Sequence, residues 1–168
     1  MYSFDEVIKM IDHPFLPLYN KDSKILILGS FPSVKSREQM FFYGHPQNRF
    51  WKVISSVLEC EAPETIEEKK KLLFENGIAL WDVIASCEIT GSSDSSIRDV
   101  KVNDLSKILK EADIRQIYVN GKTAEKYFKK YIKPQIKRDA ICLPSTSPAN
   151  AAWSVERLVE KWKVIKDN

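Results

Sequence analysis

At 168 residues, 43% hydrophobic and 29% charged, the chain is sized for about one domain with a real core, which excludes a disordered or low-complexity class. The net charge of +3 tolerates contact with a polyanion without specifying one. No apolar run approaches the ~18 residues of a membrane span, so no membrane association is expected.

The first residues, Met1-Tyr2-Ser3-Phe4-Asp5-Glu6, lack the basic-then-apolar layout of a signal peptide, and the expected address is the cytoplasm. After a segment broken by Pro14 and Pro17, Lys24 to Gly29 is a continuous apolar run ending in glycine, the pattern of a strand buried on both faces. Pro46 is placed as a first-turn residue of a helix on which Phe50, Ile54, Val57 and Leu58 recur at helical spacing. Thr65 with Glu68 spells a capping box for the next helix, and Gly77 closes it. Ile78 to Val83 is the second strand. Gly91 to Ser96 is the one evident flexible loop, and Leu105, Ile108, Leu109 and Ala112 make another helical stripe. Gln116 to Asn120 is the third strand. Ala124, Tyr127, Phe128, Tyr131 and Ile132 then form a helical stripe stopped by Pro134. The basic cluster on that stretch (Lys122, Lys126, Lys129, Lys130, Lys133, Lys137 and Arg138) is read as a solvated face rather than a nucleic-acid patch. Ala140 to Leu143 is the fourth strand, and Val155, Leu158, Val159, Trp162 and Ile165 line the last helix.

Buried strands alternating with helices predict an α/β fold, a three-layer α/β/α sandwich on a four-stranded, mainly parallel sheet. In such folds ligands bind beyond the carboxyl ends of the strands. Those ends hold Gly29-Ser30-Phe31-Pro32-Ser33, Asp82-Val83, Asn120-Gly121 and Leu143-Pro144-Ser145-Thr146-Ser147. Cys60, Cys87 and Cys142 are odd in number and form no CxxC, so they are read as buried small hydrophobes, with neither disulfide nor zinc. No metal site and no cofactor is expected. Gly29 to Ser36 nearly spells a phosphate-binding loop, but Val34 replaces its second glycine and Pro32 removes an N–H donor, which argues against nucleotide hydrolysis.

Two segments carry a resemblance. Gly29-Ser30-Phe31-Pro32-Ser33, followed by Phe42-Tyr43-Gly44-His45-Pro46-Gln47-Asn48-Arg49-Phe50-Trp51, is similar to the G-I-N-P-G and H-P-x-N-R-F-W motifs of mismatch-specific uracil and thymine glycosylases. Pro144-Ser145-Thr146-Ser147-Pro148-Ala149-Asn150 stands where that superfamily keeps its DNA-intercalating loop. The chain resembles the uracil-DNA glycosylase superfamily, with its closest likeness to the hypoxanthine-DNA glycosylase branch, as one domain over 1–168.

The resemblance implies a monofunctional, monomeric DNA glycosylase that flips deaminated bases from DNA and hydrolyses them to leave an abasic site. Hypoxanthine is expected first, with uracil and xanthine as further candidates. Phe31 takes the place of the G-I-N-P-G asparagine, so the resemblance moves the water-holding amide to Asn48. The alternative for Asn48 is a helix cap. Tyr43 matches the base-stacking position, against an ordinary core tyrosine, and Phe31 joins it in base binding. Asp82 sits where relatives read the base. A carboxylate there accepts the ring N–H of hypoxanthine or uracil and meets the lone pair of adenine unfavourably; support of the sheet edge or a helix cap is the competing role. Asp94 is a weaker candidate for the same pocket. Gly29, Ser30, Pro32, Ser33, His45 and Pro46 are expected at the sugar and phosphate or in loop support. Pro144 to Asn150 are expected to form the minor-groove wedge. The rival readings are a mismatch-specific uracil or thymine glycosylase, a module that binds lesions without cutting, and a domain for a free small nucleotide.

Overall fold

The computed structural model describes residues 9–167; the expectation drawn from Met1 to Glu6 lies outside them. The main sheet joins β2 (Ile25–Gly29), β3 (Ile78–Asp82), β6 (Gln116–Asn120) and β7 (Ile141–Leu143) in the order β3-β2-β6-β7, and every pair is parallel. All five residues of β2 and all five of β3 are buried, as continuous apolar runs with helices on both faces require. Register pairs Gly29 with Asp82 and Asn120 with Leu143, so the four strands end close together along one edge.

Helices α1 (Val34–Gln39), α2 (Phe50–Val57), α3 (Ile66–Glu75), α4 (Ser106–Glu111), α5 (Lys122–Tyr127), α6 (Lys133–Ile136) and α7 (Val155–Trp162) flank the sheet, completing an α/β/α sandwich. Thr65 and Glu68 form the expected reciprocal capping box, and Gly77 takes a φ of +66° after α3. The helix expected from Pro46 begins only at Phe50, because residues 43 to 49 are committed to loop hydrogen bonds. Nor does Pro134 stop its helix. A π-turn over Phe128–Ile132 loosens the backbone, and α6 carries the chain past the proline until Lys137 adopts the left-handed conformation. The basic face there is solvated, with Lys129 paired to Glu125 and Lys133 to Asp139.

A second sheet was not expected. β1 (Lys9–Asp12), β4 (Ile84–Ile89) and β5 (Arg98–Val102) form an antiparallel trio in the order β1-β4-β5. The chain leaves β3 and enters β4 across one residue, Val83, whose N–H donates to Gly29 O. Residues 13 to 18 stride back from this small sheet to the edge of β3, where Leu18 and Leu80 exchange backbone bonds of 2.9 and 2.8 Å. That step carries His13 to the end of β3. Of the cysteines only Cys87 is buried; Cys60 follows α2 in an exposed turn, and Cys142 is half-buried on the edge strand. Among the described residues no helix is long and apolar enough to cross a membrane.

Candidate active site

The strand ends open into a cavity of about 290 Å³. Its floor is Gly29, and an added Cβ there would lie 2.5 Å from Asp82 Oδ1 and 3.0 Å from Tyr43 Oη. Only a glycine lets these two polar atoms converge over β2. The Tyr43 ring stacks on Phe50 with centroids 4.0 Å apart and planes at 12°, and the residue lines the cavity. Tyr43 holds this pose at a φ of 53°, a conformation that costs energy in a non-glycine residue. Burial first, then the nearby Asp82 carboxylate, push its phenol well above the ordinary tyrosine range.

Asn48 faces the same cavity from the turn before α2. Its Oδ1 accepts from Phe50 N–H at 2.9 Å and from the Thr146 hydroxyl at 2.9 Å. It therefore closes the turn that leads into α2, one residue ahead of the cap position, which Arg49 holds without a side-chain cap bond, and its side chain still lines the cavity. Thr146 Oγ1 accepts in turn from Asn120 Nδ2 at 3.1 Å, and the same amide reaches Tyr43 Oη at 3.3 Å. Asn120 Oδ1 takes the Thr146 N–H at 3.1 Å. One network thus joins the turn before α2, the end of β6 and the loop after β7.

Of the loop residues, Ser145, Thr146, Ser147, Pro148 and Ala149 line the cavity. Thr146 is fully buried and points inward, so it supports the site from within, and the exposed tip belongs to Pro148 and Ala149. Pro144 and Asn150 face a neighbouring groove of about 720 Å³, which also exposes Lys122, Trp153 and Lys161. Arg49, quoted in the motif but given no role there, fastens the loop. Its guanidinium donates to Ser147 O at 2.9 Å, to Asn150 O at 3.0 Å and to Trp153 O, while its N–H donates to Thr146 O at 3.0 Å. From α7, Trp162 Nε1 donates to Pro144 O at 2.9 Å.

Ser30, Phe31, Pro32, Ser33 and His45 also line the cavity, whereas Pro46 lies exposed outside it. Ser33 caps α1 by accepting from Ser36 N–H, and His45 Nδ1 accepts from Gln47 N–H at 3.1 Å. The serine-rich loop is tied down at three points: Ser92 Oγ accepts from Val34 N–H, Gly91 O from Arg37, and the Asp94 carboxylate from Ser30 Oγ at 3.1 and 3.2 Å. Asp94 keeps an exposed surface, yet its carboxyl is set into the cavity mouth. Desolvation there raises its pKa, the Ser30 and Thr123 hydroxyls oppose the rise, and Asp82 adds to it.

Asp82 itself is buried, and its Oδ2 meets His13 Nε2 at 2.7 Å. His13, Asn120 and Arg49 hold the cavity-lining side chains and loop in place, and the sequence assigned none of them a role. Among the described residues no group of three or more His, Cys, Asp or Glu is placed to hold a metal ion.

Comparison with known proteins gives this geometry a family. The profile of the Uracil DNA glycosylase superfamily matches residues 16–167. The chain is 36% identical over 162 residues to a hypoxanthine DNA glycosylase of Methanosarcina acetivorans, covering 93% of this chain and 98% of that one. A hypoxanthine DNA glycosylase of Methanosarcina barkeri is 35% identical over 117 residues, 67% of this chain and 73% of its own. The solution NMR structure of a candidate uracil DNA glycosylase from Methanosarcina acetivorans superposes with a TM-score of 0.79 at 32% identity, covering 95% of this chain and 98% of that chain. By profile, sequence and fold alike, the chain belongs to the uracil DNA glycosylase superfamily.

Proposed function

We propose that this protein is a monofunctional DNA glycosylase that extrudes hypoxanthine from DNA and hydrolyses its bond to deoxyribose. The observation that carries the reading is the convergence of Tyr43, Asn48, Asp82 and the 145–149 segment on one cavity. The flipped base stacks on the Tyr43 ring, recovering part of the unstacking cost. Asp82 Oδ1 accepts the ring N–H beside the base's carbonyl. Adenine presents a lone pair at that place and is repelled.

As the C1′–N9 bond breaks, its electron pair leaves with the base and positive charge develops on the sugar. The carboxylates of Asp82 and Asp94 favour that charge in a site shielded from bulk water. Asn48 Oδ1 is taken by Phe50 and Thr146, so its Nδ2–H holds the attacking water by the water's oxygen. Water's oxygen bonds to C1′ and the departing base ends protonated. Among the described residues no lysine lines the cavity, which fits hydrolysis without a covalent lyase step. Pro148 and Ala149 fill the vacated stack, and a monomer acting on DNA in the cytoplasm completes the proposal.

Single-turnover cleavage of duplexes carrying hypoxanthine, uracil, xanthine or thymine opposite guanine tests this directly. Hypoxanthine should be released fastest, leaving an alkali-labile abasic site. Tight binding of hypoxanthine DNA without any abasic product would instead mark a lesion-binding module.

A further inference from the structure

We infer that His13 is a positioning residue that determines base selectivity by holding Asp82 with one carboxylate oxygen turned to the base; this rests on the function proposed above. The imidazole is buried, with its side chain 3% exposed against 6% for Asp82. Its surroundings are otherwise apolar: Phe15 and Trp81 rings lie at centroid distances of 4.5 and 4.4 Å, with Phe31 at 5.9 Å and Phe42 at 6.4 Å. In such a cage the Asp82 carboxylate is the imidazole's one ionic partner among the described residues.

A carboxylate oxygen only accepts, which assigns the ring proton to Nε2, and the Phe15 N–H 3.5 Å from Nδ1 suits that assignment. Nε2–H then donates to Asp82 Oδ2 at 2.7 Å. That bond satisfies one oxygen and fixes the carboxyl plane, so Oδ1 alone projects over Gly29 beside the Tyr43 hydroxyl. A carboxylate held this way is acceptor-only and aimed. Released from His13, the carboxylate is free to turn, and neither oxygen is then held towards the base. Discrimination between a base edge bearing N–H and one bearing a lone pair then falls.

The test compares His13→Gln with His13→Asn. A glutamine amide nitrogen reaches the place of Nε2, whereas an asparagine amide stops at the place of Nδ1, and both keep a polar group in the cage. The readout is the ratio of single-turnover release of hypoxanthine to unsubstituted purine, which adds no bulk and presents a lone pair at the same ring position. His13→Gln should keep the ratio within about threefold of the wild type, and His13→Asn should lower it about tenfold or more, the worth of one hydrogen bond to a buried charge. Ratios that are unchanged in both, or lowered equally, would reduce His13 to a packing residue and overturn the inference. A wild type that releases no hypoxanthine condemns the proposed function instead. Independently of activity, nitrogen-15 spectra of the DNA-free protein should show the His13 proton on Nε2; a neutral ring protonated on Nδ1 overturns the inference by itself.

Discussion

Asn48 is both a folding contact and, in the function proposed above, the residue that holds the water. Its oxygen accepts from the first N–H of α2 and from the Thr146 hydroxyl, and its side chain lines the cavity. Asn48→Ala should therefore cost about 1 kcal/mol of stability by melting and about a hundredfold in single-turnover rate, with hypoxanthine DNA still bound; near-normal rates would dismiss its role in catalysis. Gly29→Ala should abolish base release while leaving the fold largely intact by circular dichroism, because the new methyl meets Asp82 Oδ1 at 2.5 Å. Asp94 allows a prediction with a definite sign. Its folded-state pKa is raised, so ionisation costs the folded state as pH climbs through that value, and the cost vanishes below the unfolded pKa. Asp94→Asn should melt above the wild type at neutral pH, and the gap should close in acid. The sequence made Asn48, Tyr43 and Asp82 legible through a motif and a strand end. Asn120 obeys the same strand-end rule as Asp82 and was within reach of it. His13 was not legible: it lies 69 residues from its partner, in a proline-broken segment without periodicity.

Among the elements, the continuous apolar runs announced themselves, since strands buried on both faces need no alternation. The small sheet did not. β4 pairs with β5 through register shifts, and β5 reads as a mostly exposed, charged stretch, so neither offers a clean period of two. The π-turn before Pro134 is equally silent, because the apolar stripe on either side looks the same whether the helix is tight or wide. The loop after β7 is read as a wedge only through its resemblance, and nothing in its own residues tells what orders it: that is Arg49, about a hundred residues away. Arg49→Ala removes a guanidinium that three carbonyls share. It should destabilise the protein by about 2–3 kcal/mol and raise amide exchange selectively across 144–153. Uniform protection in that segment would show that Trp162 alone suffices to hold it.

At the scale of the whole molecule, the cavity lies where a parallel sheet's carboxyl edge would place it, and the second sheet contributes by delivering His13 from behind. A net charge of +3 gives the molecule only weak long-range attraction to DNA, so individual cations beside the cavity are the ones to test. Lys122 and Lys161 border the groove beside the cavity, so replacing each with alanine should lower the slope of log affinity against log salt by about one. Equal slopes would route the phosphates elsewhere. The stapled loop has a consequence for how such a protein searches. In the function proposed above this loop is the probe, already tied by Arg49 and Trp162 when it meets a duplex, so the conformational entropy of shaping it is lost at folding and not at each encounter. Visits to intact base pairs then require no ordering step and end as quickly as they begin, leaving long residence for the rare nucleotide that fits.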